Sequence, residues 1–123
     1  QKNYFEKFGI LKATTVQLPE IGQPLIPSNR TPVTTMTASY GYGISVTPLQ
    51  VLTTIGGIIN SGYKPCPSLL YQDNFSNHPE SSPPIVSAKT SQTIRRFMRM
   101  TAREGTAKKV DLGGFKVFAK TGT

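Results

Sequence analysis

The C-terminal end of the chain carries side chains suited to binding an anion. Residues 114–121 read GFKVFAKT, which comes close to a phosphate-binding loop, where a glycine directly precedes the lysine. Ala119 stands in place of that glycine, and the alternation over residues 115–120 predicts a β-strand. A paired strand has no free backbone N–H groups to hold a phosphate, so we exclude that site. Lys120, Thr121 and Gly122 at the end of this strand remain as candidate site residues, although taken alone the tripeptide is more simply an exposed strand end.

A buried helix is predicted over residues 47–60. Thr47 is a good N-cap, Pro48 fits the first helical position, and Gln50 stands three residues after the cap. The apolar residues then recur at spacings of three and four. We expect them to form the buried face of the helix: Leu49, Val51, Leu52, Ile55, Ile58 and Ile59. Two adjacent interior glycines, Gly56 and Gly57, indicate that a packed partner comes close.

A second helix is predicted over residues 87–103, with Ser87 as its cap and residues 104–106 ending it. Its inward-facing residues are expected to be Ile94, Phe97, Met98 and Thr101. The prolines between residues 19 and 32 favour an extended loop over residues 1–35, with a short strand at 14–18. Residues 68–71 also resemble a strand.

Composition narrows the functional classes. The chain has 123 residues, a formal net charge of +8, and no apolar stretch near the roughly 20 residues of a membrane span. No export signal is visible at the N-terminus. Cys66 and His78 are the only residues of their types, which excludes an internal disulfide and argues against a zinc cluster. We expect no metal and no organic cofactor.

The excess of basic residues permits a different function. A small module that binds nucleic acid or another polyanion through residues 95–109 is the alternative hypothesis. Such modules interleave basic residues with exposed aromatic side chains. The nearby Phe97, Phe115 and Phe118 stand at positions expected to be buried, which favours a solvated basic face.

Several strings in one order resemble the transpeptidase domain of class B penicillin-binding proteins. The resemblance runs over essentially the whole chain, and the Gly-Tyr-Gly before VTPLQ is more similar to the division-specific type than to the elongation type. The strings are Phe8-Gly9, Leu18-Pro19-Glu20, YGYGISVTPLQ at 40–50, Glu104-Gly105-Thr106-Ala107 and Lys120-Thr121-Gly122-Thr123.

The resemblance implies a reaction and roles for the matching residues. In that family a serine attacks the D-alanyl-D-alanine amide of a peptidoglycan stem peptide, and the amine of a second stem resolves the acyl-enzyme. Lys120 would line the site, hold a neighbouring serine hydroxyl and add positive potential. Thr121 would offer its hydroxyl to the terminal carboxylate of the substrate, and Gly122 would permit close approach. The backbone N–H of Thr123 would be an oxyanion-hole donor.

The chain departs from the family pattern at the nucleophile. Ser61 and Lys64 match Ser-x-x-Lys by letters, but Ser61 follows the end of a predicted helix, whereas the family places its serine at a helix start. We interpret this match as coincidental. No serine stands two residues before any asparagine, so the Ser-x-Asn motif is absent as well.

The sequence therefore predicts part of a single α/β transpeptidase domain over residues 1–123, with helices packed on an antiparallel sheet. It is expected to lack the nucleophile-bearing part and the strands after residue 123, and to be inactive alone. The resemblance implies a parent enzyme of septum synthesis, anchored in the inner membrane with this domain on the periplasmic face. Its partners would be stem peptides, β-lactams and other division proteins, with no nucleic acid. An inactive homologue kept as a scaffold is a further possibility.

Overall fold

The computed structural model describes residues 2–28, 31–71, 82–111 and 114–122. The regular secondary structure of these described residues is almost entirely helical. Its elements are α1 (Lys2–Phe8), α2 (Pro32–Ser39), α3 (Pro48–Ile59), α4 (Ala88–Arg103) and a 3₁₀ helix (Lys108–Val110). Pairing of strands is limited, over these ranges, to one antiparallel bridge between Leu25 and Ser45.

The predicted helix at 47–60 is confirmed, together with its cap. The Thr47 hydroxyl accepts a hydrogen bond from the Gln50 backbone N–H at 3.2 Å, and the Gln50 side chain accepts one from the Thr47 N–H at 2.8 Å. This reciprocal pair is a capping box. Pro48 occupies the first turn, where its missing N–H removes no helical hydrogen bond.

The face of α3 that is buried is not the one expected. The residues buried on α3 are Gln50, Thr53, Thr54 and Gly57. Leu52 is 67% exposed, and Val51 and Ile55 are exposed as well. The prediction from apolar spacing is therefore wrong at these positions.

The polar face of α3 is buried because its side chains donate hydrogen bonds to backbone carbonyls near the end of α1. The Gln50 amide donates to the carbonyls of Ile10 (3.3 Å) and Lys12 (2.7 Å). The Thr54 hydroxyl donates to the carbonyl of Phe8, the last residue of α1, at 3.0 Å. The C-terminal carbonyls of a helix have no partner within it, so α3 supplies one to the end of α1.

Gly56 and Gly57 are closely approached, as predicted. A Cβ at Gly57 would lie 2.7 Å from Cδ1 of Ile85 and 3.0 Å from Cα of Lys64. A Cβ at Gly56 would lie 3.0 Å from Cγ of Pro65. The segments on either side of residues 72–81 therefore pack against α3 where it has no side chains.

The predicted helix at 87–103 is also confirmed. The Ser87 hydroxyl accepts from the Thr90 N–H at 3.1 Å and caps α4. The most buried residues of α4 are Ser91 and Ala102. Three of the four residues expected to face inward are half-buried, but Phe97 is 62% exposed, so that expectation is wrong for Phe97.

The N-terminal third is more helical than predicted. Residues 2–8 form α1 and residues 32–39 form α2, where an extended loop was expected. Thr31 caps α2 by accepting from the Thr34 N–H at 3.2 Å, and Pro32 occupies its first turn. Proline is compatible with a helix start, which is how α2 accommodates it.

The expected strands at 14–18, 68–71 and 115–120 are not strands in the structure. A strand is held by hydrogen bonds to a neighbouring strand. The carbonyl of Val117 and the N–H of Ala119 instead bond to Arg99 and Met98 of α4. The expected antiparallel sheet is thus not seen within the described ranges.

None of the helices in the ranges given above is long and apolar enough to span a bilayer. Within the same ranges, no group of three or more His, Cys, Asp or Glu side chains could hold a metal ion. His78 lies outside the described residues, and the thiol of Cys66 is exposed.

Candidate functional site

The Lys-Thr-Gly tripeptide (Lys120, Thr121 and Gly122) lies exposed on the surface. The Lys120 ammonium donates to the carbonyl of Thr121. Among the described residues, nothing lies within 4 Å of the position that a Cβ would take at Gly122. A ligand backbone could therefore approach Gly122 without a steric clash. Thr123, the fourth predicted site residue, lies outside the described residues.

Arg99 of α4 anchors the segment that leads to the tripeptide. Its guanidinium donates to both carboxylate oxygens of Asp111, at 2.5 and 3.3 Å, and also to the carbonyl of Val117 at 3.0 Å. The backbone N–H of Ala119 donates to the carbonyl of Met98 at 3.1 Å. Two-pronged arginine–carboxylate pairs fix geometry as well as adding energy, so α4 holds Asp111, Val117 and Ala119 in place.

The structure brings a second motif to the tripeptide. The hydroxyl oxygens of Thr106 and Thr121 lie 3.3 Å apart, within hydrogen-bonding distance. Thr106 belongs to the Glu104-Gly105-Thr106-Ala107 string, which forms the turn after α4. Both strings are visible in the sequence, but local patterns carry no information on contacts between residues fifteen positions apart, so the pairing of Thr106 with Thr121 is seen only in the structure.

The turn that carries Thr106 is fixed to the end of α4. The N–H of Glu104 donates to the carbonyl of Met100 at 2.8 Å, and the N–H of Ala107 donates to that of Thr101 at 3.2 Å. A Cβ at Gly105 would lie only 2.9 Å from the Thr101 carbonyl oxygen. Glycine is therefore required for the close approach of this turn to the helix.

The 40–50 string forms a turn that leads into α3. Gly41 and Gly43 have φ values of +89° and +75°, in the left-handed region that favours glycine. Ser45 then pairs with Leu25 through two backbone hydrogen bonds of 2.9 Å. The glycines of the Gly-Tyr-Gly are thus explained by backbone conformation, and Tyr40 and Tyr42 are exposed.

Ser61 is placed as the sequence predicts, after a helix and not at a helix start. It follows Asn60, the C-cap of α3, and its φ is +55°. The Lys64 ammonium donates to the Phe8 carbonyl at 3.1 Å. Burial lowers the pKa of Lys64 below its ordinary value of 10.5, and the nearby charge of Cys66 opposes that shift. Lys64 therefore serves to hold the end of α1.

The aromatic residues near the basic helix are more exposed than expected. Phe97 and Phe115 are exposed, the latter by 80%, and Phe118 is half-buried. The expectation that all three are buried is wrong for two of them. The Arg95 guanidinium lies 5.5 Å from the centre of the Phe118 ring, a cation–π distance.

Comparison with known proteins decides the family. The penicillin-binding protein transpeptidase domain matches residues 1–123. The chain belongs to the penicillin-binding protein transpeptidase family. The similarities do not support a polyanion-binding module.

Relatives and solved structures agree with this membership. The transpeptidase chain is 29% identical to the stage V sporulation protein D of Bacillus subtilis, over 98% of this chain and 20% of that protein. It is 28% identical to the "Probable peptidoglycan D,D-transpeptidase FtsI" of Caulobacter vibrioides, with the same two coverages. The chain thus spans about a fifth of the length of these relatives.

The crystal structure of a peptidoglycan glycosyltransferase from Burkholderia ambifaria superimposes with a TM-score of 0.83. The superposition covers 98% of this chain and 39% of the Burkholderia chain, at 20% identity. At that identity the likeness shows the fold alone. This chain accordingly shares the α/β fold of penicillin-binding protein transpeptidase domains.

Proposed function

We propose that the protein is part of a peptidoglycan D,D-transpeptidase that cross-links stem peptides during septum synthesis and is acylated by penicillin. The observation that carries the proposal is the family match over residues 1–123. Within that range the Lys-Thr-Gly tripeptide is exposed, with open space at Gly122. The activity belongs to a longer polypeptide, since the chain spans about a fifth of its relatives.

The proposed reaction is a double acyl transfer. A serine Oγ forms a bond to the carbonyl carbon of the penultimate D-alanine, the C–N bond breaks, and the terminal D-alanine leaves with the serine proton. The amine of a second stem then attacks the ester, the C–O bond breaks, and the serine regains a proton. Because Ser61 lies after α3 and Lys64 bonds to Phe8, the nucleophile, its lysine base and the relay serine are assigned to other parts of the polypeptide.

The tripeptide supplies the binding of the substrate in this proposal. The Lys120 ammonium contributes positive potential and holds the relay serine. The Thr121 hydroxyl donates to the terminal carboxylate, and Gly122 lets the peptide backbone approach. The N–H of Thr123 stabilises the oxyanion, and one such donor is worth roughly 2.7–4 kcal/mol. The site needs no metal or organic cofactor.

The setting of the enzyme follows from the same proposal. The substrate lies outside the inner membrane, so the domain works on the periplasmic face and is tethered by an anchor elsewhere in the polypeptide. Its ligands are stem peptides ending in D-alanyl-D-alanine and β-lactams, which carry an equivalent carboxylate. Other division proteins are the proposed protein partners.

The experiment that tests this proposal measures intact mass after incubation with benzylpenicillin. The 123-residue chain and the complete polypeptide are treated in parallel, and ring-opened penicilloate serves as the matched ligand that cannot acylate. We expect an adduct on the complete polypeptide, unchanged by Ser61→Ala, and none on the chain alone. Replacing Lys120 by alanine is expected to slow adduct formation.

Two results would contradict the proposal. An adduct on the chain that maps to Ser61 would reverse the assignment of the nucleophile. Absence of an adduct on the complete polypeptide would favour an inactive homologue that acts as a scaffold.

A further inference from the structure

We propose that Thr106 is a positioning residue, whose hydroxyl orients that of Thr121 toward the carboxylate of the substrate. The inference rests on the proposed function, because it takes Thr121 as the residue that binds this carboxylate. Its starting observation is the distance of 3.3 Å between the two hydroxyl oxygens, both on exposed residues. The position of Thr106 in a turn does not by itself indicate this role.

The numbers of donors and acceptors determine which of the two hydroxyls donates to the other when a carboxylate binds. A threonine hydroxyl has one proton to donate and two lone pairs to accept with. Without a ligand, either Thr106 or Thr121 can be the donor. A carboxylate is the stronger acceptor because it is charged, so its arrival draws the Thr121 proton. Thr121 is then left with a free lone pair, and the Thr106 hydroxyl donates to it.

Both partners of the pair are held by the same helix, which makes the arrangement rigid enough to orient a hydroxyl. On one side, the Ala107 N–H bonds to the carbonyl of Thr101 near the end of α4. On the other, the Ala119 N–H bonds to the carbonyl of Met98, one turn earlier. The distance between the two threonines is therefore fixed through α4 and not through a flexible connection.

The carbonyl of Thr121 is also engaged. It accepts from the Lys120 ammonium, so the backbone and the side chain of Thr121 each have a separate partner. A hydroxyl without a second partner rotates among its staggered positions, and only one of them points at the ligand. The hydrogen bond from Thr106 restricts this rotation, and this is how Thr106 positions the Thr121 hydroxyl.

The test uses the complete polypeptide with the variants Thr106→Val, Thr106→Ser and Thr121→Val. Valine keeps the shape of threonine without its hydroxyl, and serine restores the hydroxyl. The measured quantity is the second-order rate constant of acylation by benzylpenicillin and by its methyl ester, which has no free carboxylate. The ratio of the two rates reports on carboxylate recognition, which general damage to the fold would not change.

We expect Thr106→Val to slow acylation by the free acid roughly 3- to 10-fold, the range of one neutral hydrogen bond. The rate with the methyl ester should stay the same, and Thr106→Ser should restore the rate with the free acid. Thr121→Val should produce a larger loss with the same selectivity for the free acid.

Other results overturn the inference in distinguishable ways. An equal loss with acid and ester would make Thr106 a structural residue only. A loss for Thr121→Val with none for Thr106→Val would reject the inference and leave the proposed function standing. No effect of either variant, or no acylation at all, would reject the assigned role of Thr121 or the proposed function, and the inference with it.

Discussion

Gln50 shows how much of this fold depends on one buried polar residue. Its side-chain oxygen accepts from the N–H (2.8 Å) and hydroxyl (3.1 Å) of Thr47, and its amide nitrogen donates to the carbonyls of Ile10 and Lys12. The residue is 1% exposed. Gln50→Leu fills a similar volume but leaves these groups without partners. We expect the free energy of unfolding in urea to fall by about 2–4 kcal/mol.

Two variants separate the contributions of Gln50. Gln50→Glu keeps the acceptor of the capping box but places a buried carboxylate oxygen against the carbonyl oxygens of Ile10 and Lys12, so its loss at neutral pH should be at least as large as that of Gln50→Leu. Gln92→Leu makes the same change at an exposed position of α4 and should alter stability by less than about 0.5 kcal/mol. Equal stability of Gln50→Leu and Gln92→Leu would show that the polar face of α3 contributes nothing.

The burial of Lys64 makes the free energy of unfolding rise with pH. Burial lowers its folded pKa below the ordinary 10.5, so the unfolded chain binds more protons between the two values. The free energy of unfolding therefore rises with pH across that window, and the penalty of burying the charge is fully present below it. We expect the difference in stability between wild type and Lys64→Gln to move in favour of wild type as pH rises toward 10.5.

The measurement is urea denaturation of both proteins at a series of pH values from neutral upward. Lys89→Gln removes the same formal charge from an exposed position of α4 and controls for the change in net charge. A difference between wild type and Lys64→Gln that stays constant, or moves the other way, would contradict the burial argument.

Among the elements, α4 is the one that positions the candidate site. Arg99 joins it to Asp111 and to the Val117 carbonyl, and both members of the ion pair are about a quarter exposed. Arg99→Met should release the following segment. We expect faster amide hydrogen exchange over residues 114–122 and a loss of about 1.5–3 kcal/mol in the free energy of unfolding, the range for hydrogen bonds to charged groups.

The controls for this prediction lie on the same helix. Arg96→Met changes an exposed arginine of α4 and should leave exchange over residues 114–122 unaltered. Arg99→Lys keeps the charge but loses the two-pronged geometry, and should fall between wild type and Arg99→Met. If Arg96→Met and Arg99→Met had the same effect, the anchoring role of Arg99 would be wrong.

The position of a helix could be predicted from the sequence where an N-cap residue precedes apolar residues at helical spacing. Which face of the helix is buried could not be predicted. Thr47 and Ser87 marked the starts of α3 and α4 because a cap is a local interaction. Thr31 and Pro32 gave the same signal for α2, but nearby prolines favoured an extended segment. The apolar period located α3 but not its buried face, because burial depends on what lies opposite the helix.

The candidate site was predictable in part for the same reason. Lys120, Thr121 and Gly122 stand out because a short motif specifies them. Thr106 beside Thr121 depends on how α4 and its following turn fold back, which no local pattern contains. The strand expected before the tripeptide fails because its backbone groups bond to α4.

At the scale of the whole molecule, exposed apolar surface favours association between copies of the chain, whereas the net charge opposes it. Val51, Leu52 and Ile55 of α3 are exposed, and contiguous exposed apolar groups favour association. The formal net charge of +8 opposes association through repulsion between copies. Salt screens that repulsion, since the screening length falls from about 30 Å at 0.01 M to about 8 Å at 0.15 M ionic strength.

This balance predicts that the isolated chain associates as salt is added, and that one substitution on α3 prevents it. Leu52→Gln removes apolar surface at a residue that is 67% exposed, so stability should change little while the mass measured by sedimentation velocity at 0.15 M salt stays monomeric. Leu18→Gln makes the same change at another exposed leucine, one that is not part of α3, and should leave association as in wild type. If wild type stayed monomeric at high salt, or if both variants reduced association equally, the apolar face of α3 would not be the surface responsible.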